Sequence, residues 1–266
     1  MVGLTPMDTT TTRAGLPLVS IVTPVLNGAR FLPDLLASIR GQDYGAIEHV
    51  VVDGGSTDGT VEILRAAPGV VWTTASDRGM YDAINEGFRR ARGEILAYQN
   101  ADDRYVVPGA VSAAVSHLVR HPEVDAAYGR FRYLDEHGQP RPGPLPRSRP
   151  FDARRLRRYN FVPPHSLFVR ARAVKDDGHW FDPTLQFAGD WDWVLGLAQA
   201  GQTFASLDEV LSEFRVHRRS KTATFGWPAK VREWRRICRR RGASLPLLLW
   251  HEAFYIPARR RLGLPA

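Results

Sequence analysis

Between Leu18 and Asp103 short apolar runs alternate with amphipathic stretches, and each apolar run breaks off into polar residues. Leu18-Val19-Ser20-Ile21-Val22 reads as a buried strand ending at Thr23-Pro24. Val25-Leu26-Asn27-Gly28 is a turn, and Phe31, Leu32, Leu35, Leu36 and Ile39 follow at helical spacing. Ile47 to Val52 is a second strand, ending in Asp53-Gly54-Gly55-Ser56-Thr57-Asp58-Gly59, where Ser56 or Asp58 can cap a helix bearing Val61, Ile63 and Leu64. Val70 to Thr73 is a third strand. Met80 to Arg92 is helical and closed by Gly93, and Glu94-Ile95-Leu96-Ala97-Tyr98-Gln99 enters a fourth strand. A β-α-β-α-β-α-β order this short requires right-handed crossovers and a mostly parallel sheet, wound on both faces by helices. Such sheets bind ligands beyond the carboxyl ends of their strands. Three of those ends are polar: Thr23-Pro24 with Asn27, Asp53 with Ser56, and Asn100-Ala101-Asp102-Asp103. The last offers hard oxygen ligands where a cation and phosphates can sit.

Beyond Asp103 the pattern loosens. Gly109 to Arg120 is a helix, Ala126 to Leu134 a strand entering a hairpin at Glu136-His137-Gly138, and Pro140 to Pro150 a loop. Ser166 to Val169 is a further strand. Ala188-Gly189-Asp190-Trp191-Asp192 opens a helix that Gly201 ends, and Thr203 to Val216 reads as short strands and turns. From Trp227 onward basic and apolar patches alternate, including Arg239-Arg240-Arg241, Leu245 to Trp250 and Arg259-Arg260-Arg261. The expected organisation is a leader over 1–17 without order, an α/β domain over 18–225, and a basic amphipathic extension over 226–266. The domain divides into a half that carries the polar strand ends (18–105) and a less regular half (106–225).

Composition narrows the function. A net charge of +8 suits acidic partners such as phosphates, anionic lipid or nucleic acid. The basic residues are not interleaved with aromatics in a recognition module, which argues against nucleic acid. The single cysteine, Cys238, excludes an intramolecular disulfide and a cysteine-based zinc site, and fits a reducing cytoplasm. The Thr-rich start lacks the apolar core of a secretory signal, and no apolar run approaches the length of a membrane span. The extension can lie on an anionic membrane surface, or pack on the domain with a solvated basic face.

Val19 to Gly28, Val51 to Thr60, Ser76-Asp77-Arg78-Gly79-Met80-Tyr81-Asp82-Ala83-Ile84-Asn85-Glu86-Gly87 and Ala91 to Ile95 with Asn100 to Asp103 resemble, in order, the signature runs of family 2 glycosyltransferases. The resemblance covers roughly Leu18 to Ser220 and is closest up to Asp103. It implies a GT-A fold, a nucleotide-sugar donor (UDP-sugars by default), a glycan or lipid-linked acceptor, and inversion at the anomeric carbon. Carried onto this chain, it puts Thr23, Pro24, Asn27 and Asp53 around the nucleoside and Arg78 on the nucleotide. Asn100-Ala101-Asp102 stands at the family's Asp-x-Asp position, where Asp102 would coordinate Mn²⁺ or Mg²⁺ bridging the diphosphate. Asn100 departs from the usual Asp and removes a charge, and Gly54 stands where a second Asp is common. A capping role for Asp53 is the plain alternative, but Ser56 and Asp58 suit that role and leave Asp53 free.

A nucleoside diphosphate leaves readily once its charge is neutralised, so the protein need supply only one base for the acceptor hydroxyl. Asp190 resembles the family's late acidic residue and is the candidate base, with Asp192 second. Trp191 and Trp193 are core or sugar-stacking surface. His217 is a candidate metal ligand, and His165 a candidate donor or acceptor contact. A nucleotidyltransferase can share this sheet plan, but Thr23 to Gly28 lacks a Gly-rich, cationic phosphate loop. A non-catalytic nucleotide-binding protein is the remaining alternative.

Overall fold

The computed structural model describes residues 15–74, 79–106, 108–143, 145–146 and 148–245. Arg78 therefore lies outside the described residues, as do the chain before Gly15 and the tail after Leu245. The first half follows the expected alternation: β1 (Val19–Val25), α1 (Leu32–Arg40), β2 (Ile47–Asp53), α2 (Thr60–Ala66), β3 (Val70–Thr74), α3 (Met80–Arg90) and β4 (Ile95–Tyr98). Then come β5 (Arg104–Tyr105), α4 (Ala110–Arg120), β6 (Ala126–Leu134), α5 (Ala153–Leu156), a 3-10 turn over Pro164–Ser166, and β7 (Leu167–Arg170). The chain continues through α6 (Ala171–Lys175), α7 (Gly189–Gln199), β8 (Phe204–Arg215), α8 (Lys221–Thr224) and α9 (Trp227–Arg241).

The eight strands among the described residues form one mixed sheet in the order β3-β2-β1-β4-β7-β6-β8-β5. The pairs β3–β2, β2–β1, β1–β4 and β6–β8 are parallel, whereas β4–β7, β7–β6 and β8–β5 are antiparallel. Strand alternation sends side chains to opposite faces, and both faces are covered. Val22, Leu96, Tyr98 and Val169 pack with Ile84 and Phe88 of α3 and with Trp191, Val194 and Leu195 of α7. Ile21, Val51, Ala97 and Phe168 pack on the other side with Leu32 and Leu35 of α1 and Val111 and Val115 of α4. This is the doubly wound mixed sheet expected from the sequence.

Three boundaries differ. β1 runs on through Thr23 and Pro24 to Val25, because its register with β2 continues to Val25 opposite Asp53. α3 ends at Arg90, and Ala91 is already extended, so Gly93 does not close it. Thr203 to Val216 is not short strands and turns: β8 is one strand of 12 residues, bent by register shifts against β6 around Arg130. Its alternation was obscured by Asp208 and Glu209, which are exposed mid-strand.

The extension begins as a packed helix. Trp234 and Ile237 of α9 are buried in the core with α7. No helix among the described residues is long and apolar enough to cross a membrane.

Candidate active site

The carboxyl ends of β1, β2 and β4 are tied together by their turns. Asn27 takes a left-handed backbone, φ 52°, and its side-chain Oδ1 accepts the Thr57 N–H at 2.9 Å. Its own N–H donates to Ser56 Oγ at 2.7 Å, and Ala29 N–H to Asp58 Oδ2 at 3.1 Å. Gly28 lets this turn approach the β4 end: a Cβ there would meet Val25 Cγ2 at 2.6 Å and Ala101 Cβ at 3.4 Å.

Asp53 is not left free. Buried at the end of β2, it accepts the backbone N–H groups of Gly55 at 3.2 Å and Ser56 at 3.2–3.3 Å, and the Thr74 hydroxyl at 2.5 Å. Ser56 serves Asn27 instead, and Asp58 takes the first-turn Thr60 N–H of α2. Thr23 and Pro24 lie within β1, beneath the edge rather than on it. The Thr23 hydroxyl is 2.9 Å from Nε2 of His49, whose pKa burial pushes down to about 3, so that ring is neutral.

The turn after β4 holds the most concentrated chemistry. His217 Nε2 lies 2.9 Å from Asp102 Oδ2, with the Asp102 side chain 32% exposed and that of His217 8% exposed. Phe31 packs against the His217 ring at 4.8 Å. The Asn100 amide donates to Asp103 Oδ2 at 3.0 Å, leaving its buried Oδ1 without a hydrogen-bond partner. A carboxylate, an imidazole and an enclosed amide oxygen therefore converge on this turn. No group of three or more His, Cys, Asp or Glu side chains forms a cage among the described residues. A Mg²⁺-type site needs none, because substrate phosphates and water complete its shell. The donor set fits Mn²⁺ or Mg²⁺ bound together with a diphosphate.

Arg215, which the sequence reading passed over, organises this turn. It is 1% exposed, its N–H donates to Asp103 Oδ1 at 2.8 Å, and its Nε donates to the Asp102 carbonyl at 2.9 Å. Its guanidinium also pairs with Asp34 at 2.7 Å and stacks on Phe31 at 4.8 Å. Burial and the neighbouring Asp102 carboxylate push the Asp103 pKa up despite these donors. The local signal was faint: an arginine in the run Phe214 to Arg218 reads as one more basic residue.

His165 is buried, with Nδ1 2.6 Å from Ser212 Oγ and its ring edge-on to Phe131 at 4.8 Å. Burial pushes its pKa to about 3, against the opposing pull of the Asp102 charge. It is a neutral imidazole close enough to Asp102 to feel it.

Asp190 opens α7 from the opposite face of the same edge. Burial raises its pKa to about 6, opposed by the backbone N–H groups of Trp191 and Asp190 and by the side chains of Tyr81 and Asn160. The Asn160 amide donates to it at 3.4 Å. Tyr98, at the end of β4, is buried beneath and feels the charges of both Asp190 and Asp103, which places the two carboxylates around one strand end. A carboxylate with a pKa near 6 is ionised at neutral pH yet basic enough to take a proton.

Asp192 and the tryptophans turn away from this edge. Asp192 is 1% exposed and is held by Arg240 and Arg241 of α9, the latter at 3.0 Å to each carboxylate oxygen, so it does not stand in for Asp190. Trp191 Nε1 donates to the Leu156 carbonyl at 2.8 Å, and Trp193 Nε1 to that of His179 at 2.7 Å. Both indoles are core. Two residues along an α-helix are rotated by about 200°, so the two acidic residues of this motif face opposite sides of α7.

The comparisons bear on family and fold. A sequence model described as Glycosyl transferase family 2 matches residues 20–176. An uncharacterized glycosyltransferase of Mycobacterium tuberculosis (strain ATCC 25618 / H37Rv) is 32% identical over 223 residues, covering 79% of this chain and 81% of its own. Among solved structures, S. aureus TarS 1-349 in complex with UDP-GlcNAc superposes with a TM-score of 0.69 at 17% identity, covering 92% of this chain and 75% of that one. Of a longer TarS structure the chain spans 39%. The mannosyltransferase PcManGT from Pyrobaculum calidifontis in complex with GDP-Man and Mn²⁺ gives a TM-score of 0.62 at 21% identity, covering 97% of this chain and 79% of that one. The sheet is that of the GT-A fold, and the chain belongs to glycosyl transferase family 2.

Proposed function

We propose that this glycosyltransferase moves a sugar from a nucleoside-diphosphate sugar, of the UDP class, to a hydroxyl of a glycan or lipid-linked acceptor, with inversion. The observation that carries this reading is the pair of chemistries around the end of β4: Asp102 with His217 on one side, Asp190 with a raised pKa on the other. The UDP-GlcNAc complex of the TarS neighbour supports the donor class, and the Mn²⁺ complex of the mannosyltransferase supports a divalent metal.

In this reading the Asn27 turn and the Asp53-held turn form the wall for the nucleoside, with Thr23 and Pro24 beneath it and Arg78 reaching the nucleotide. Asp102, His217 and the unpartnered oxygen of Asn100 would hold Mn²⁺ or Mg²⁺. When bound, the metal neutralises charge on the departing diphosphate. Asp190 accepts the proton of the acceptor hydroxyl as that oxygen bonds to the anomeric carbon and the carbon–oxygen bond to the diphosphate breaks. Attack opposite the leaving group inverts the centre. His165, neutral and within the field of Asp102, is assigned a contact to the donor or acceptor sugar. The exposed Arg232, Arg235 and Arg239 of α9 suit peripheral contact with an anionic membrane surface, where a lipid-linked acceptor would be found.

Incubation with UDP-GlcNAc, UDP-glucose, UDP-galactose and GDP-mannose, each with Mn²⁺ or EDTA and a membrane lipid extract, tests the reading through released nucleoside diphosphate. Metal-dependent release from one donor is expected. Release of pyrophosphate from a nucleoside triphosphate and a sugar phosphate would establish nucleotidyl transfer instead. The anomeric configuration of the product, read by NMR, decides inversion.

A further inference from the structure

Helix α9 lies far along the chain from the motifs, yet it grips the segment that carries Asp190 from both sides. On the amino side, Glu233 Oε1 accepts the Gln186 N–H at 2.6 Å, and Oε2 accepts those of Phe187 and Ala188 at 2.9 Å each. These three residues run directly into Gly189-Asp190. On the carboxyl side, Arg240 and Arg241 hold the buried Asp192. Between the grips, Trp234 and Ile237 are buried against the core that includes α7.

The segment has little slack on its other side. The Tyr81 hydroxyl donates to the Phe187 carbonyl at 2.8 Å. Gly189 lies flat on that ring, where a Cβ would come within 2.6 Å of Tyr81 Cε2. Of the three N–H groups this carboxylate takes, that of Ala188, the N-cap of α7, is one that helix formation leaves open, and the negative charge complements the positive helix end. Charge-assisted bonds of this type are stronger and more directional than neutral ones. Every bond Glu233 makes to this segment is to backbone, so the interaction sets where the chain runs rather than what it recognises.

We propose that Glu233 is a positioning residue for the transfer reaction, fixing the backbone of Gln186 to Ala188 so that the Asp190 carboxylate meets the acceptor hydroxyl. This inference rests on the reading of Asp190 as the base. It makes α9 part of the catalytic unit rather than an appendage. A base displaced by about 1 Å costs on the order of 100-fold in rate, while the donor, held at the ends of β1, β2 and β4, binds as before.

The test uses the full chain and whichever nucleotide sugar the donor panel identifies. Glu233→Ala is expected to lower kcat about 100-fold, and Glu233→Gln, which keeps one acceptor oxygen, about 10-fold. Both should leave the donor KM within about twofold and speed hydrogen exchange at the amides of residues 186–188. Ile237→Val, which thins the packing of α9 one turn beyond Glu233, should lower the melting temperature yet keep kcat within about threefold of the parent. The inference is overturned if folded Glu233→Gln retains the parent kcat, if kcat and donor KM worsen together, or if Ile237→Val loses as much turnover as Glu233→Ala. Where Glu233→Ala does not fold, the Gln variant decides. Asp190→Asn, run in parallel, separates the two readings. Retained transfer there removes the base and this inference with it, whereas lost transfer there beside an unimpaired Glu233→Gln removes only the inference.

Discussion

His217 Nε2 sits 2.9 Å from Asp102 Oδ2, across 115 residues of sequence. That pair joins the turn after β4 to the segment after β8, and it is where we place the metal and the diphosphate. Asp102→Ala and His217→Ala should each reduce Mn²⁺-dependent turnover at least about 100-fold, while binding of UDP in EDTA stays within about twofold. Calorimetric titration of UDP with and without Mn²⁺ checks this directly. Unchanged metal stimulation in His217→Ala would remove the histidine from the site.

Asp190 should impose an acid limb on the reaction. Its pKa is raised to about 6, so the base form is lost as pH falls through that value, and kcat should drop about tenfold per pH unit below it. A steady-state profile between pH 5 and 8, at saturating donor and metal (about three units are needed to define the slope), gives the answer. A flat profile across that range would contradict the assignment.

The same shift carries a stability consequence of definite sign. Below the ordinary carboxylate pKa, folded and unfolded chains are both protonated at Asp190 and no difference arises. As pH rises the unfolded chain ionises first, so folding loses stability until the folded group also ionises near 6. Asp190→Asn should therefore be more stable than the parent at pH 7.5, by up to about 3 kcal/mol, and the gain should vanish below about pH 4. Urea unfolding at the two pH values measures it.

Arg215 is the residue whose loss should damage the site through the fold. Its backbone N–H to Asp103 survives in Arg215→Met, but the guanidinium's bonds to the Asp102 carbonyl and Asp34 are lost, and with them the positive charge beside the buried Asp103. A loss of about 3–5 kcal/mol is expected, partly recovered by adding Asp103→Asn. A double-mutant cycle by chemical denaturation reads the coupling, and strict additivity would show that the two do not interact.

At Asn27 the backbone and the side chain can be separated. Its φ of 52° is costly for alanine, by about 1–2 kcal/mol, and free for glycine. Asn27→Gly keeps the backbone but loses the Oδ1 bond to Thr57, whereas Asn27→Ala loses both. Stability should rank parent, Gly, Ala, and nucleotide affinity should follow the same order. Equal behaviour of the two variants would show that the left-handed turn carries no strain.

Much of this was legible in the sequence because local periodicity and strand-end chemistry are local properties. The alternation of buried strands and amphipathic helices from Leu18 to Tyr98 dictates a doubly wound sheet. The polar residues after each strand mark its active edge, and the order of the motifs points to the family. Single side chains were harder. Asp53 reads as a free carboxylate but spends its oxygens on its own turn and on Thr74, 21 residues later. Asp190 ranks ahead of Asp192 only through the family's motif, and it is helical rotation that separates them, turning Asp192 to Arg240 and Arg241. β8 looked broken because exposed acidic residues interrupt its middle, while its pairing with β6 holds it as one strand.

The amino-acid sequence alone determined the sheet plan, the edge where chemistry collects, and the residue types available there. Tertiary structure decided which of those residues work together. Arg215 meets Asp103, His217 meets Asp102, and Glu233 meets the segment before Asp190 at separations of 112, 115 and 45–47 residues. Pattern within a window carries no information about such pairs. They are selected when the whole chain closes, because a buried charge or an open N–H group is tolerated only where the finished fold supplies its partner.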